Sequence, residues 1–341
     1  MDIRMVDLKN QYLKIKQQID NSIEQVLFQT DFINGQKVKE FSDNLSKYLD
    51  VKHVIPCANG TDALQIAMMA LDFEIEDEII VPAFTYVATA EVVALLKLKP
   101  ILVDVDPNTF NIDVKKIEAA ITPRTKAIVP VHLYGQAAQM EEIMQIAQKH
   151  NLYVIEDNAQ AIGAFYSFKN GEKKRLGTIG HIGCTSFFPT KNLGCYGDGG
   201  ALMTNDDALA EKIKMVANHG QSKKYHHKFI GVNSRLDTIQ AAILDEKLKL
   251  LDSYSQSRYN AAMYYSEKLI NTEQLIVPFL APYSTHVFHQ YTIVVNNGKR
   301  DQLKEFLQKN GVPSMIYYPL PLNEQESFKS ISKIIGSIEN T

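Results

Sequence analysis

Glu78-Ile79-Ile80-Val81-Pro82, Ile101-Leu102-Val103-Asp104-Val105, Ala127-Ile128-Val129-Pro130-Val131 and Leu152-Tyr153-Val154-Ile155-Glu156 are four short apolar runs that decide the fold. Each is rich in β-branched residues and bounded by Pro, Gly or polar residues, as a buried parallel strand is. Helical patterns lie between them; the one from Met140 to His150 sets Ile143, Ile146 and Ala147 at helical spacing. Strand alternating with helix specifies an α/β protein, with a mainly parallel sheet and helices on both faces. Ligands of such sheets gather at the carboxyl ends of the strands. Three polar clusters fall there: Thr85-Tyr86, His132 and Asp157-Asn158-Ala159-Gln160.

Outward from this block, Gly163 to Asn205 reads as short strands and glycine turns, followed by a helix from Asp206 to Ala217. A long polar helix from about Thr238 to Asn271 then leads into a second unit. That unit reads strand (Gln290 to Val295), helix (Asp301 to Asn310, stopped by Gly311) and strand (Pro313 to Tyr318). The expectation is a large domain over 1–245 and a smaller C-terminal α+β domain over 246–341.

The bulk composition narrows the function classes. The chain has 341 residues, 45% apolar and 22% charged, with a formal net charge of −3. No overall basic field invites nucleic acid, so an anionic substrate needs local positive groups. Cys57, Cys184 and Cys195 are odd in number and lack Cys-x-x-Cys spacing, which argues against a disulfide framework and a structural metal site. Met1 to Asp7 places acidic residues where a signal peptide needs basic ones. No run reaches the roughly 18–20 apolar residues of a membrane span. The expectation is a cytoplasmic protein with no metal, nucleic-acid or membrane partner.

Four segments carry candidate chemistry. Thr185-Ser186-Phe187-Phe188-Pro189-Thr190-Lys191-Asn192-Leu193-Gly194 sets a lysine after an apolar run and before glycines that permit close backbone approach. A lysine in a dry pocket loses its proton easily and forms a Schiff base; a solvated loop lysine is the commoner alternative. Asp157, in Val154-Ile155-Glu156-Asp157-Asn158-Ala159-Gln160, suits the carboxylate that keeps the pyridine nitrogen of pyridoxal phosphate (PLP) protonated. It equally suits a helix N-cap. Gly60 and Thr61, opening a helix from Thr61 to about Leu71, would present free amides to a phosphate, or form a simple turn. Tyr86 ends a strand, where stacking on a flat cofactor competes with core packing.

Taken in order, these segments resemble the DegT/DnrJ/EryC1/StrS sugar aminotransferases, a fold-type-I PLP family. The matching motifs are Ala58-Asn59-Gly60-Thr61-Asp62-Ala63-Leu64, Pro82-Ala83-Phe84-Thr85-Tyr86, Ile155-Glu156-Asp157-Asn158-Ala159-Gln160, Ser186-Phe187-Phe188-Pro189-Thr190-Lys191-Asn192, Gly197-Asp198-Gly199-Gly200 and Gly231-Val232-Asn233-Ser234-Arg235-Leu236-Asp237. The resemblance implies that Lys191 binds the cofactor covalently and shuttles protons, and that Asp157 pairs with the pyridine nitrogen. It implies that Gln160 meets the 3-hydroxyl, Tyr86 stacks on the ring, and Gly60, Thr61 and Ser186 hold the phosphate. Asn233 would complete that phosphate site from the other subunit, hence a homodimer with shared active sites. Arg235 would reach the nucleotide sugar, and Tyr225, His226, Tyr317 and Tyr318 are further candidate substrate contacts.

Lys191 stands where the dehydratases of this family carry histidine, so transamination is implied. The stretch Gly220-Gln221-Ser222-Lys223-Lys224-Tyr225-His226-His227 looks like the subgroup acting on UDP-linked 3-keto N-acetyl hexuronic acids, with glutamate as amine donor, for O-antigen and other surface polysaccharide (lipopolysaccharide) synthesis. Lys223, Lys224, His226 and Lys228 would receive a uronate or diphosphate, or form a solvated basic loop. The rival subgroup takes dTDP-linked 3-keto-6-deoxyhexoses; a non-catalytic PLP- or sugar-binding homologue is the other alternative. After Tyr317-Tyr318-Pro319-Leu320-Pro321-Leu322 the chain lacks the Leu-Pro-Met-His-Pro-like segment usual in the family, so a shortened small domain is expected. A Rossmann dehydrogenase is disfavoured, because Asn59-Gly60 offers one glycine where its phosphate turn needs three.

Overall fold

The apolar runs become strands because β-branched side chains pack well on both faces of a pleat. The computed structural model of the chain, which describes residues 3–340, sets them side by side. Met1, Asp2 and Thr341, the first two part of the signal-peptide reading, lie outside the described residues.

The chain begins with α1 (Leu8–Lys14), α2 (Lys16–Gln29) and α3 (Gln36–Leu49). β1 (His53–Cys57) leads into α4 (Gly60–Ala70), β2 (Glu78–Pro82) into α5 (Ala88–Leu95), β3 (Lys99–Val103) into α6 (Val114–Ile117), and β4 (Thr125–Ile128) into α7 (Met140–His150). After β5 (Tyr153–Asp157) come a hairpin of β6 (Phe165–Ser167) and β7 (Lys173–Arg175), then β8 (Ile182–Ser186), β9 (Gly200–Thr204) and α8 (Asp207–Ala217). A second hairpin, β10 (Gln221–Lys223) and β11 (His226–His227), precedes α9 (Thr238–Leu248) and α10 (Leu251–Leu269). Then follow β12 (Leu275–Ile276), β13 (Val294–Val295), α11 (Arg300–Lys309) and β14 (Lys333–Ile334).

Eight strands form one sheet in the order β1-β9-β8-β5-β4-β2-β3-β14. β9 runs antiparallel to both its neighbours, and the other pairings are parallel. Successive strand residues serve opposite cores, as the two-residue pleat period demands. Ile79, Val81, Leu102 and Ile155 pack with α4, α5 and α8, whereas Ile80, Ile101, Val103 and Val154 pack with α7. A third core, with Phe41, Leu45, Leu244 and Leu248, sits between α3 and α9. This is the expected α/β architecture with helices on both faces.

The C-terminal third departs from the sequence reading. The long helix is two, broken at Lys249 and Leu250: α9 is largely buried, while α10 buries only Leu251 and Ala262. The strand expected from Gln290 shrinks to Val294–Val295, because the preceding amides bond elsewhere, Val287 to the Gly135 carbonyl and Gln290 to the Tyr134 carbonyl. Pro313 to Tyr318 is not a strand. Past Pro321 the chain returns to the large sheet. The Leu322 amide donates to the Ala83 carbonyl, Leu322 and Phe328 are buried in the α4–α5 core, and β14 pairs with β3.

Candidate active site

The carboxyl ends of β2, β4, β5 and β8 lie along one edge of the sheet, and most of the residues singled out from the sequence follow them. Asp157 closes β5 and is buried. Its Oδ2 accepts the Thr89 hydroxyl of α5 at 2.8 Å, and its Oδ1 accepts the Ala159 amide at 3.1 Å. Residues 159–163 form turns and no helix, so Asp157 caps a turn instead of a helix. Lys191 follows β8 by five residues and is half-buried. Burial of its amine pushes its pKa down to about 8, against the opposing pull of the Asp157 charge.

Gly60 and Thr61 occupy the first turn of α4. Asn59 caps that helix, its side chain accepting the Asp62 amide at 2.8 Å while its carbonyl accepts the Ala63 amide. The amides of Gly60 and Thr61 precede the first intrahelical donor and so face outward from the helix end. Ser186, at the end of β8, lies directly against them: a Cβ on Gly60 would come within 2.7 Å of the Ser186 Cβ. A Cβ on Gly200 would meet the Asn59 carbonyl at 2.5 Å and the Gly60 nitrogen at 2.9 Å. The two glycines thus let the start of α4 pack closely on β8 and β9, which sets the outward-facing Gly60 and Thr61 amides beside Ser186, a group of donors suited to a phosphate.

Tyr86 is 57% exposed, so its ring is free of the core and available to stack. Gln160 is buried; its Oε1 accepts the Tyr134 amide and its Nε2 donates to the Tyr318 hydroxyl. Tyr317 is drawn to the same place through its carbonyl, which accepts the Tyr134 hydroxyl at 2.6 Å. Asn233 and Arg235 sit on the loop between β11 and α9, Asn233 exposed and Arg235 half-buried. Between them, Ser234 accepts the Ala58 amide at 3.0 Å. Tyr225, His226, Lys223, Lys224 and Lys228 all lie exposed on or beside the β10–β11 hairpin.

Several residues here escaped sequence reading. Thr89 has no signal of its own in the apolar run of α5. Glu156, fully buried beside Asp157, accepts the amides of Gly177, Ile179 and Gly180 at 2.9, 2.7 and 2.6 Å and pairs with His132 Nε2 at 2.9 Å. It fixes the segment that leads into β8. Thr85 Oγ1 is buried without a partner in the same region. Among the described residues no group of His, Cys, Asp and Glu could hold a metal, and no helix is long and apolar enough to cross a membrane.

Comparison with known proteins gives a consistent picture. The DegT/DnrJ/EryC1/StrS aminotransferase family matches over residues 13–341. The UDP-2-acetamido-2-deoxy-3-oxo-D-glucuronate aminotransferase of Pseudomonas aeruginosa is 49% identical over 323 residues, covering 95% of this chain and 88% of its own length. A DegT/DnrJ/EryC1/StrS aminotransferase structure from Brucella abortus superposes with a TM-score of 0.93 at 42% identity, covering 98% of this chain and 90% of its own. NtdA from Bacillus subtilis, solved with bound cofactor PMP, has a TM-score of 0.86 at 34% identity, covering 95% of this chain and 74% of its own.

Proposed function

The chain belongs to the DegT/DnrJ/EryC1/StrS aminotransferase family, and from that premise we propose that it aminates the 3-keto group of a UDP-linked N-acetyl hexuronic acid with glutamate as donor. The family is PLP-dependent. The residues present fit that cofactor: a helix-start amide pair that Gly60 and Gly200 let pack beside Ser186, a buried carboxylate at Asp157, and a lysine whose amine sheds its proton easily. Gly60, Thr61 and Ser186 would hold the phosphate, Asp157 the pyridine nitrogen, Gln160 the 3-oxygen, Tyr86 the ring face and Lys191 the aldehyde carbon. PLP held there supplies an electron sink for the pair left when a C–H bond next to nitrogen breaks.

The chain's own groups supply the rest. Lys191 Nζ, neutral for much of the time near pH 8, takes the proton from the donor's α-carbon and later returns one to C3 of the sugar. The Asp157 carboxylate is oriented by two donors, the Thr89 hydroxyl and the Ala159 amide. Tyr86 closes one side of the site with an apolar face. The observation that carries this reading is a desolvated Lys191 amine, on the segment after β8, within the electrostatic reach of the Asp157 carboxylate at the end of neighbouring β5.

We further infer a homodimer in which Asn233 and Arg235 reach the partner's site. Leu27, Phe28, Phe32 and Ile33 are exposed apolar residues at and after the end of α2. Phe28 is 90% exposed, and the Thr238 amide donates to the Phe32 carbonyl, next to the Asn233–Arg235 loop. An apolar patch of this kind suits a covered face. Three buried free thiols suit a reducing compartment such as the cytoplasm. A role in O-antigen or lipopolysaccharide synthesis accords with the sugar class.

The test is a visible spectrum of the protein with PLP, before and after glutamate, followed by the sugar. Glutamate should bleach the wild-type band, and Lys191→Ala should not form it. A UDP-linked 3-keto hexuronic acid should then restore it faster than a dTDP-linked 3-keto-6-deoxyhexose. Preference for the dTDP sugar would overturn the substrate assignment; PLP uptake with no response to glutamate or any other amine donor would leave a binding protein.

A further inference from the structure

Gln160 is held from two sides. Its Oε1 accepts the Tyr134 amide at 2.7 Å. A backbone N–H can only donate, so this bond fixes which end of the side-chain amide is oxygen. Nε2 therefore faces the other way, where one of its two N–H groups meets the Tyr318 hydroxyl at 3.1 Å. Tyr134 keeps its backbone in the left-handed region, φ 59° and ψ 0°, which is uncommon for an aromatic residue. Its own hydroxyl reaches the Tyr317 carbonyl, so the 317–318 segment is tied to both Tyr134 and Gln160.

Tyr318 is anchored through its ring as well. It lies edge-on to Phe84 with centroids 5.7 Å apart and tilted to Tyr86 at 6.4 Å. Burial, with a further push from the Asp157 charge, drives its hydroxyl pKa upward and keeps it protonated. The hydroxyl accepts from Gln160 while retaining its own proton.

We propose that Tyr318 is a positioning residue for the cofactor, its hydroxyl pinning the Gln160 amide so that the second Nε2–H is aimed at the 3-oxygen of PLP. The inference rests on the PLP reading above and replaces the substrate-contact role that the sequence implies for Tyr318. A donor at the 3-oxygen favours its anionic form, and so lowers the pH at which the Lys191-linked chromophore loses its proton. Loosening Gln160 should raise that pH.

The experiment is a pH titration of the visible band, with no amine donor or sugar present, for wild type, Tyr318→Phe, Gln160→Ala and the double variant. Tyr318→Phe keeps the ring packed on Phe84 and Tyr86. Its midpoint should rise by about half a pH unit or more, that of Gln160→Ala by at least as much, and the double variant should match Gln160→Ala alone. A wild-type midpoint in Tyr318→Phe, with only the KM for the sugar raised, would overturn the proposal in favour of a substrate contact. A Tyr318→Phe effect that persists undiminished in the Gln160→Ala background would overturn action through Gln160. If wild type forms no band with PLP while remaining folded, the PLP reading itself fails and the inference falls with it.

Discussion

Lys191 and Asp157 set two ionisable groups in a largely dry site, and each makes a measurable demand. Lys191 has its pKa lowered from 10.5 to about 8 by desolvation. Without cofactor, the unfolded chain therefore binds a proton at Lys191 that the folded chain gives up more easily. Stability rises as pH goes from about 8 towards 10.5, and the full penalty is present below 8. Lys191→Met should accordingly be more stable than wild type at pH 7, by about 2 kcal/mol, with the gain fading near pH 10. Urea unfolding of the cofactor-free proteins at the two pH values checks this. Thr89 matters for the opposite charge. Thr89→Val keeps the shape but removes the donor to Asp157 Oδ2, a charge-assisted bond of about 1.5–3 kcal/mol. The glutamate half-reaction should slow about tenfold or more, while Thr89→Ser stays near wild type, as followed by single-turnover bleaching. Lys191 and Asp157 stand in polar breaks after apolar runs, where a solvated lysine and a helix cap read equally well, and it is the family resemblance that singles them out. Nothing singles out Thr89, since a threonine among Ala88, Ala90 and Val92 reads as one more small core residue.

Strands and helices set the group of donors that would take the phosphate. Gly200 begins β9 and lies opposite Cys57 of β1, so its Cα packs on the Asn59–Gly60 peptide. Gly200→Ala should push the start of α4 outward, loosening PLP at least tenfold and costing about 1–3 kcal/mol of stability. Equilibrium dialysis and thermal unfolding separate the two effects. α7 was readable to the residue, because Ile143 and Ala147 form a regular apolar stripe and Asn151 ends it with φ 53°. β2 also matched, from Glu78 to Pro82. What escaped were elements whose existence depends on distant partners. β14 is two residues long and exists only through its register on Ile101 and Leu102. The break between α9 and α10 carries neither Pro nor Gly, and coincides with the change from a largely buried helix to a largely exposed one. β9 was visible as a short strand in a glycine-rich stretch, yet its direction was not, since local pattern does not encode orientation.

The assembly proposed above makes its own prediction. If Asn233 serves the partner's site, a Lys191→Ala subunit and an Asn233→Ala subunit carry lesions that fall in one site of a mixed dimer and spare the other. Mixing the two impaired proteins under exchange conditions should recover amine transfer, whereas each alone should not. No recovery despite demonstrated exchange would place Asn233 in its own subunit's site. The position of β9 bears on how such a subunit is made. Among the described residues β1 has β9 as its sole neighbour in the sheet, and β9 is formed from residues 200–204. During synthesis, β1 therefore emerges with no strand to pair with and waits roughly ten seconds or more, at ordinary elongation rates, for its partner to leave the ribosome. Throughout that interval its backbone is an open template for other nascent chains. Codon usage or chaperone supply between these two strands should then govern yield of the intact protein more strongly than any change after β9.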